Sequence, residues 1–232
     1  MIDVIGLSKT YGRQRVLHDL SLSVRPGEVA LLVGANGCGK STTLRLLAGL
    51  SPADAGRVLL GGHDIAAEPT AAQAEMSFLP QSPRFHARLT VTQILSFYAR
   101  LRGLPSARVD TVIARWGLGE YREVITGRLS GGTRQRVGLA VLDLPDAGIL
   151  MLDEPGLSLD PEWRRALQRH LRAQAATGRT VLVATHLLGE WEGQADRCLV
   201  LEGGQVGREV ASADLRQAFP FALPHAAVAV AQ

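Results

Sequence analysis

Residues 34–41 read Gly-Ala-Asn-Gly-Cys-Gly-Lys-Ser. Three glycines, a lysine and a hydroxyl at this spacing are the parts of a polyphosphate cradle. Glycine lets the backbone approach phosphate oxygens so that N–H groups, among them those of Asn36, Gly37, Cys38, Gly39 and Thr42, can point at them. Lys40 supplies a compact positive charge for the β- and γ-phosphates, and the Ser41 hydroxyl is placed for Mg²⁺. The chain has 25 basic residues, of which only Lys9 and Lys40 are lysines. In so arginine-biased a chain the lysine has a reason: a slim ammonium fits a narrow loop that a planar guanidinium would not.

A second glycine-rich run stands at Leu129-Ser-Gly-Gly-Thr-Arg-Gln-Arg136, directly before an apolar stretch of helical character. Ser130 is a good N-cap, and Gly131 and Gly132 leave amides open to an anion. Read alone, Ser-Gly-Gly is equally a turn. Further on, Ile149-Leu-Met-Leu-Asp-Glu-Pro155 is an apolar strand ending in two carboxylates. Asp153 there would hold Mg²⁺ through water beside the phosphate loop, and Glu154 would orient or deprotonate an attacking water.

These groups need a scaffold, and the chain supplies one. Val29–Val33 before the first loop and Thr42–Ala48 after it read as strand and helix, the setting a phosphate loop requires. Near-continuous apolar runs at 148–152 and 180–184 suit central strands covered on both faces. Strands alternating with helices indicate an α/β protein with a mostly parallel sheet. Residues 1–30, with the alternation Leu20-Ser-Leu-Ser-Val24, predict a small antiparallel layer that 56–65 would join. Ile94, Leu95, Tyr98, Leu101 and Leu104 recur at helical spacing, which predicts a helical subdomain over about 84–142, with Phe97 and Tyr98 in its core. The single domain is expected to run over 1–215, followed by a loose Ala/Pro-containing tail at 216–232.

Composition narrows the class. With 232 residues and 46% hydrophobic content there is enough chain for one large domain, and no apolar run reaches the length of a membrane span. A net charge of +3 is weak evidence for nucleic acid. The six histidines show no metal-ligand spacing. Cys38 and Cys198 fit a reducing compartment; Cys38, near a helix N-terminus, is the more reactive thiol, and Cys198, in an apolar strand, the inert one.

With these motifs in this order, the chain resembles the ATP-binding cassette ATPases over about residues 2–210. Gly34–Ser41 resembles their Walker A loop, Leu129–Gln135 their signature, and Ile149–Glu154 Walker B with its catalytic glutamate. The resemblance implies a P-loop core with an antiparallel β layer and an inserted helical subdomain. It also implies further site residues: Gln81 as the Q-loop ligand of nucleotide and Mg²⁺, Asp160 in the D-loop, His186 as the switch histidine, Tyr11 as the ring that stacks on adenine, and Gln135 in the signature. Taken singly, Tyr11 could be β-layer packing, Gln81 a loop residue and His186 a turn cap. Cys38, Thr133 and Gly156 depart from the usual pattern, and none removes a catalytic group. The family further implies ATP and Mg²⁺ as cofactors, a second cassette in a head-to-tail dimer (a homodimer), an integral-membrane permease on another chain, and a cytoplasmic place on the inner face of the cell membrane. Residues 79–104 resemble the ATPases of bacterial exporters of the haem-export and copper-site-maturation type. The alternatives are a soluble cassette acting on DNA or ribosomes, which the absence of a second cassette or a coiled-coil insertion disfavours, and a kinase or GTPase, which the signature disfavours. No nucleic-acid partner is expected.

Overall fold

The computed structural model describes residues 1–186, 191, 193–211 and 214. The expected tail at 216–232 lies outside the described residues. A six-stranded sheet forms the centre, built from β3 (Val29–Val33), β6 (Met76–Leu79), β7 (Ile149–Asp153), β8 (Thr180–Ala184), β9 (Arg197–Glu202) and β10 (Gln205–Ala211). Its spatial order is β10-β9-β3-β8-β7-β6. β9, β3, β8, β7 and β6 run parallel, and β10 closes one edge antiparallel to β9. The second sheet is antiparallel: β1 (Ile2–Tyr11), β2 (Gln14–Val24), β4 (Ala55–Leu60) and the two-residue β5 (His63–Asp64), in the order β2-β1-β4-β5.

The strand β3 shows why the core divides in two. All five of its residues are buried, and they alternate between faces. Val29, Leu31 and Val33 join a cluster with the helices on one side. Ala30 and Leu32 join a second cluster with α1 (Lys40–Leu47) and the antiparallel sheet, through residues such as Leu44, Leu47, Val4 and Leu20. The period-two geometry of a strand requires this split. It also explains the unbroken apolar run, since a strand with helices or sheet on both faces has no polar side to show.

Between β6 and β7 the chain makes α3 (Val91–Leu101), α4 (Ala107–Arg115) and α5 (Gly131–Asp143). α3 begins with a capping box: the Thr90 hydroxyl accepts from the Gln93 N–H, and the Gln93 side chain accepts from the Thr90 N–H. Val91, Ile94, Leu95 and Ala99 form its buried stripe. Two sequence expectations fail here. Phe97 is 50% exposed and Leu101 68% exposed. Phe97 lies off the stripe and rests edge-on against Tyr98, with ring centroids 5.4 Å apart. Leu101 is the last residue of the helix, where the buried face has run past its partners. α2 (Pro69–Ala74), before β6, and α6 (Pro161–Ala176), between β7 and β8, complete the described helices.

One consequence of the strand order matters most. β3, β8, β7 and β6 are parallel neighbours, so their C-terminal ends lie side by side along one sheet edge. Residues 34–41, Thr185-His186, Asp153-Glu154 and Gln81 follow those ends in that order across the sheet. A crevice at the carboxyl edge of an open parallel sheet is where such folds bind ligands.

Candidate active site

The first cradle is the turn from β3 into α1. Gly39 takes the N-cap position with φ 112°, so no side chain caps the helix and its first amides face the loop. A Cβ at Gly39 would come within 2.8 Å of Leu17 Cδ2, and one at Gly34 within 2.4 Å of the Leu201 carbonyl oxygen. The loop is thus pressed against β2 and β9 where only hydrogen fits. Lys40 is buried at 7% exposure, and its ammonium donates to the carbonyls of Gly34 at 2.8 Å and Ala35 at 3.1 Å. Those two bonds fold the side chain back over the turn, into the space the loop encircles. Asn36 and Gly37 are exposed at the tip; Ser41 and Thr42 are half-buried at the start of α1.

Two strands away, Asp153 ends β7. It is 2% exposed, and its Oδ1 has no hydrogen-bond partner. Burial pushes its carboxyl above the usual carboxylate range; the Ser41 hydroxyl pulls it down, Glu154 pushes it up, and the charges of Arg45 and Lys40 pull it down. A buried, half-satisfied carboxylate facing Ser41 and Lys40 has the chemistry of a cation ligand.

Glu154 is one of two non-glycine residues with positive φ among those described, at 46°. Its N–H donates to the Ala184 carbonyl at 2.8 Å, which holds this turn against β8. Its carboxylate is 6% exposed at the residue level and meets His186 twice: Oε1 lies 2.8 Å from Nδ1, and Oε2 accepts from the His186 N–H at 3.3 Å. Neighbouring strand ends thus deliver a carboxylate and an imidazole to the same point, a pairing suited to holding a general base in one orientation.

The second cradle forms at the start of α5. Ser130 caps the helix, accepting from the Thr133 N–H at 3.1 Å. Gly131 has room for a side chain, while a Cβ on Gly132 would sit 2.8 Å from the Ser158 carbonyl oxygen. Ser158 leads into α6, whose N-cap Asp160 accepts from the Trp163 N–H at 3.0 Å. Ser130, Gly131, Gly132 and the 158–160 turn therefore make one group, and Lys40, Ser41, Asp153, Glu154 and His186 another. Gln81 lies exposed just after β6. Tyr11 stands apart at the end of β1, 46% exposed, with the Lys9 ammonium 5.3 Å from its ring centroid. Gln135 is buried, and its amide donates to the Pro155 carbonyl at 3.2 Å.

Sequence reading missed the cluster behind this second cradle. Arg136 donates to the carbonyls of Trp116 and Gly117 at 3.2 and 3.0 Å, with the Trp163 ring 4.7 Å and the Tyr121 ring 5.4 Å from its Cζ. Asp143 accepts from Trp116 Nε1 at 2.9 Å and pairs with His170 at 2.9 Å and Arg115 at 3.4 Å. These partners come from the end of α4 and the segment after it, from α5 and from α6, so no local spacing betrays them.

The family model described as ABC transporter matches residues 17–156. The chain belongs to the ABC transporter family. Its ABC relatives include the Nod factor export ATP-binding protein I of Ralstonia nicotianae, 35% identical over 209 residues, an alignment covering 88% of this chain and 65% of that protein. The phospholipid-transporting ATPase ABCA7 of Homo sapiens is 36% identical over 206 residues, covering 86% of this chain and 10% of that one. The chain thus spans just under two thirds of the first relative's length and a tenth of the second's. Among solved structures, an ATP-binding subunit of an ABC transporter superposes with a TM-score of 0.86 at 29% identity, covering 95% of this chain and 93% of that one. As in the sequence reading, the fold is an α/β P-loop fold with a mostly parallel sheet and an antiparallel β layer. Cys198 is buried, and burial pushes its thiol up to about 12.

Proposed function

We propose that this chain binds and hydrolyses ATP to drive export through a membrane-spanning permease on another chain. The observation that carries the hydrolytic part is the Glu154–His186 pair, fixed at adjacent strand ends beside the phosphate loop. In this reading Lys40 leaves its two loop carbonyls for phosphate oxygens, and the amides from Asn36 to Thr42 close round them. Glu154 orients a water toward the γ-phosphate and accepts its proton; His186 keeps the carboxylate in place and reaches the same phosphate. Tyr11 stacks on the base.

The orphaned Oδ1 of Asp153 and the nearby Ser41 hydroxyl fit a hard, oxygen-seeking cation, with Gln81 as a further oxygen ligand. Among the described residues no three His, Cys, Asp or Glu side chains gather as a metal site, so the rest of the shell would come from phosphate and water. Bound there, Mg²⁺ would neutralise charge on the phosphate oxygens.

The second cradle implies a second copy. Two helix N-termini on separate parts of the fold, each suited to anions, can clamp one nucleotide if two chains meet head to tail, the phosphate loop of one facing Ser130, Gly131, Gly132 and Asp160 of the other. A homodimer supplies both halves from one sequence. The insertion, about 84–142, would carry the signature as a subdomain of a cassette spanning 1–215. Export rests on the likeness to the Nod factor export ATP-binding proteins and on the exporter-like stretch at 79–104. No helix among the described residues is long and apolar enough to cross a membrane. A separate permease would therefore hold the chain at the inner face of the cell membrane, with no role for nucleic acid.

Glu154→Gln tests the centre of this reading. It keeps the shape and the phosphate loop but removes the base, so turnover should fall by at least about a hundredfold while ATP binding survives. Turnover at the wild-type rate would remove Glu154 from the mechanism.

A further inference from the structure

Three side chains behind Ser130 form a hydrogen-bonded series whose direction can be worked out. Arg136 Nη2 lies 3.4 Å from Thr133 Oγ1, and Thr133 Oγ1 lies 2.9 Å from Ser130 Oγ. A guanidinium has donors only. At 3.4 Å the contact is long, yet the full positive charge still requires a lone pair of the threonine oxygen, not its proton, to face it. Arg136 cannot swing away to relax this. Its other arm is spent on the Trp116 and Gly117 carbonyls, and its plane is flanked by the Trp163 and Tyr121 rings.

The Thr133 proton must then go elsewhere. Thr133 is 5% exposed, and Ser130 Oγ is the hydroxyl within reach. The opposite arrangement, with Ser130 donating to Thr133, would bury an unmet donor on Thr133. Ser130 Oγ also accepts from the Thr133 N–H at 3.1 Å. Both of its lone pairs are thereby engaged from the helix side. Its own proton is then free of the helix and available to a ligand.

We infer that Thr133 and Arg136 are positioning residues that orient the Ser130 hydroxyl as an outward donor to the terminal phosphate of ATP held across the dimer. This rests on the reading of Ser130 given under Proposed function. A serine whose proton already points at the ligand has no rotor to reorganise when charge develops there. The effect belongs on turnover and not on the capture of ATP by the phosphate loop, because the two cradles are separate groups of residues.

The test uses the full-length chain, with steady-state ATPase at saturating ATP and the binding of a fluorescent ATP analogue. Thr133→Val keeps the shape and removes both the acceptor and the proton. It should lower kcat by about tenfold, the scale of one lost hydrogen bond to a charged group, and leave analogue binding unchanged. Thr133→Ser restores the hydroxyl and should return kcat to within about twofold of wild type. Arg136→Met should lower kcat similarly, and the double variant Thr133→Val/Arg136→Met should be no worse than the poorer single one, because the two act in series. Circular dichroism melting confirms that each variant is folded; should Arg136→Met not fold, the Val and Ser variants at 133 decide alone. Wild-type kcat in Thr133→Val, with Ser130→Ala impaired, overturns the orienting series while the role of Ser130 stands. Normal turnover in Ser130→Ala overturns the reading beneath it.

Discussion

The two cradles present the same physics, a helix N-terminus with open amides, and build it in opposite ways. At the first, glycine caps α1, and the Leu201 carbonyl with the side chains of Leu17 and Val16 presses so closely on Gly34 and Gly39 that a Cβ is excluded there. At the second, a serine caps α5 and the support is a network of side chains reaching to Trp116, Trp163 and Tyr121. The glycine cradle tolerates little change at its two crowded glycines, and its pattern is written in adjacent residues. A side-chain cradle can be rebuilt from different residues, as Thr133 at a signature position illustrates, but depends on segments far away in the chain.

The largest effect that separates the two should come from Lys40. Lys40→Ala is expected to abolish both ATP binding and turnover, and Lys40→Arg to fail as well, because its planar fork does not fit where the ammonium now sits between two carbonyls. A nucleotide-binding titration of each variant checks this, and near-normal binding by the arginine form would defeat the fit argument. Next comes Ser130→Arg, which should still bind ATP but not hydrolyse it. Mixed with Lys40→Ala it should regain activity, since a mixed dimer holds one undamaged composite site. If mixed dimers form and stay inactive, the head-to-tail arrangement is wrong.

A smaller contrast is one of stability. Gly39→Ala places a Cβ against Leu17 at φ 112° and should cost about 1–3 kcal/mol. Gly131→Ala, with its nearest neighbour 3.9 Å away, should stay within about 0.5 kcal/mol of wild type. Denaturant melts of the two proteins compare the cradles directly, and equal costs would mean that close packing against the glycines is not what distinguishes them. The mildest probe is chemical. Maleimide at half-buried Cys38 should inhibit the ATPase, ATP should protect, and Cys38→Ser should be active and insensitive. Equal inhibition of the serine variant would place the reactive group elsewhere.

The same division decides what could be read before folding. The phosphate loop, the strand-end carboxylates and the antiparallel layer were legible because each is written in adjacent residues: glycine spacing, a buried strand's apolar run, or the alternation of Leu20, Leu22 and Val24. Periodicity gave the helix α3 but not every residue it buries: Leu101 obeys the pattern yet is exposed at the helix end, and Phe97 lies off the buried stripe. The inward turn of Gln135 and the Asp143–Trp116–His170 cluster were invisible, because their partners come from other elements, up to 27 positions away for Asp143 and His170. The roles of Gln81 and Tyr11 came from family resemblance alone, and both side chains lie in the open, where packing adds no testimony.

Glu154 has a consequence beyond chemistry. Its backbone sits at φ 46°, in a region where asparagine or glycine is more comfortable, and its carboxylate is almost wholly enclosed. Thermal robustness and turnover therefore pull this one position in opposite directions. A laboratory lineage selected only for surviving heat would gain by discarding the glutamate, and only a demand for work would retain it.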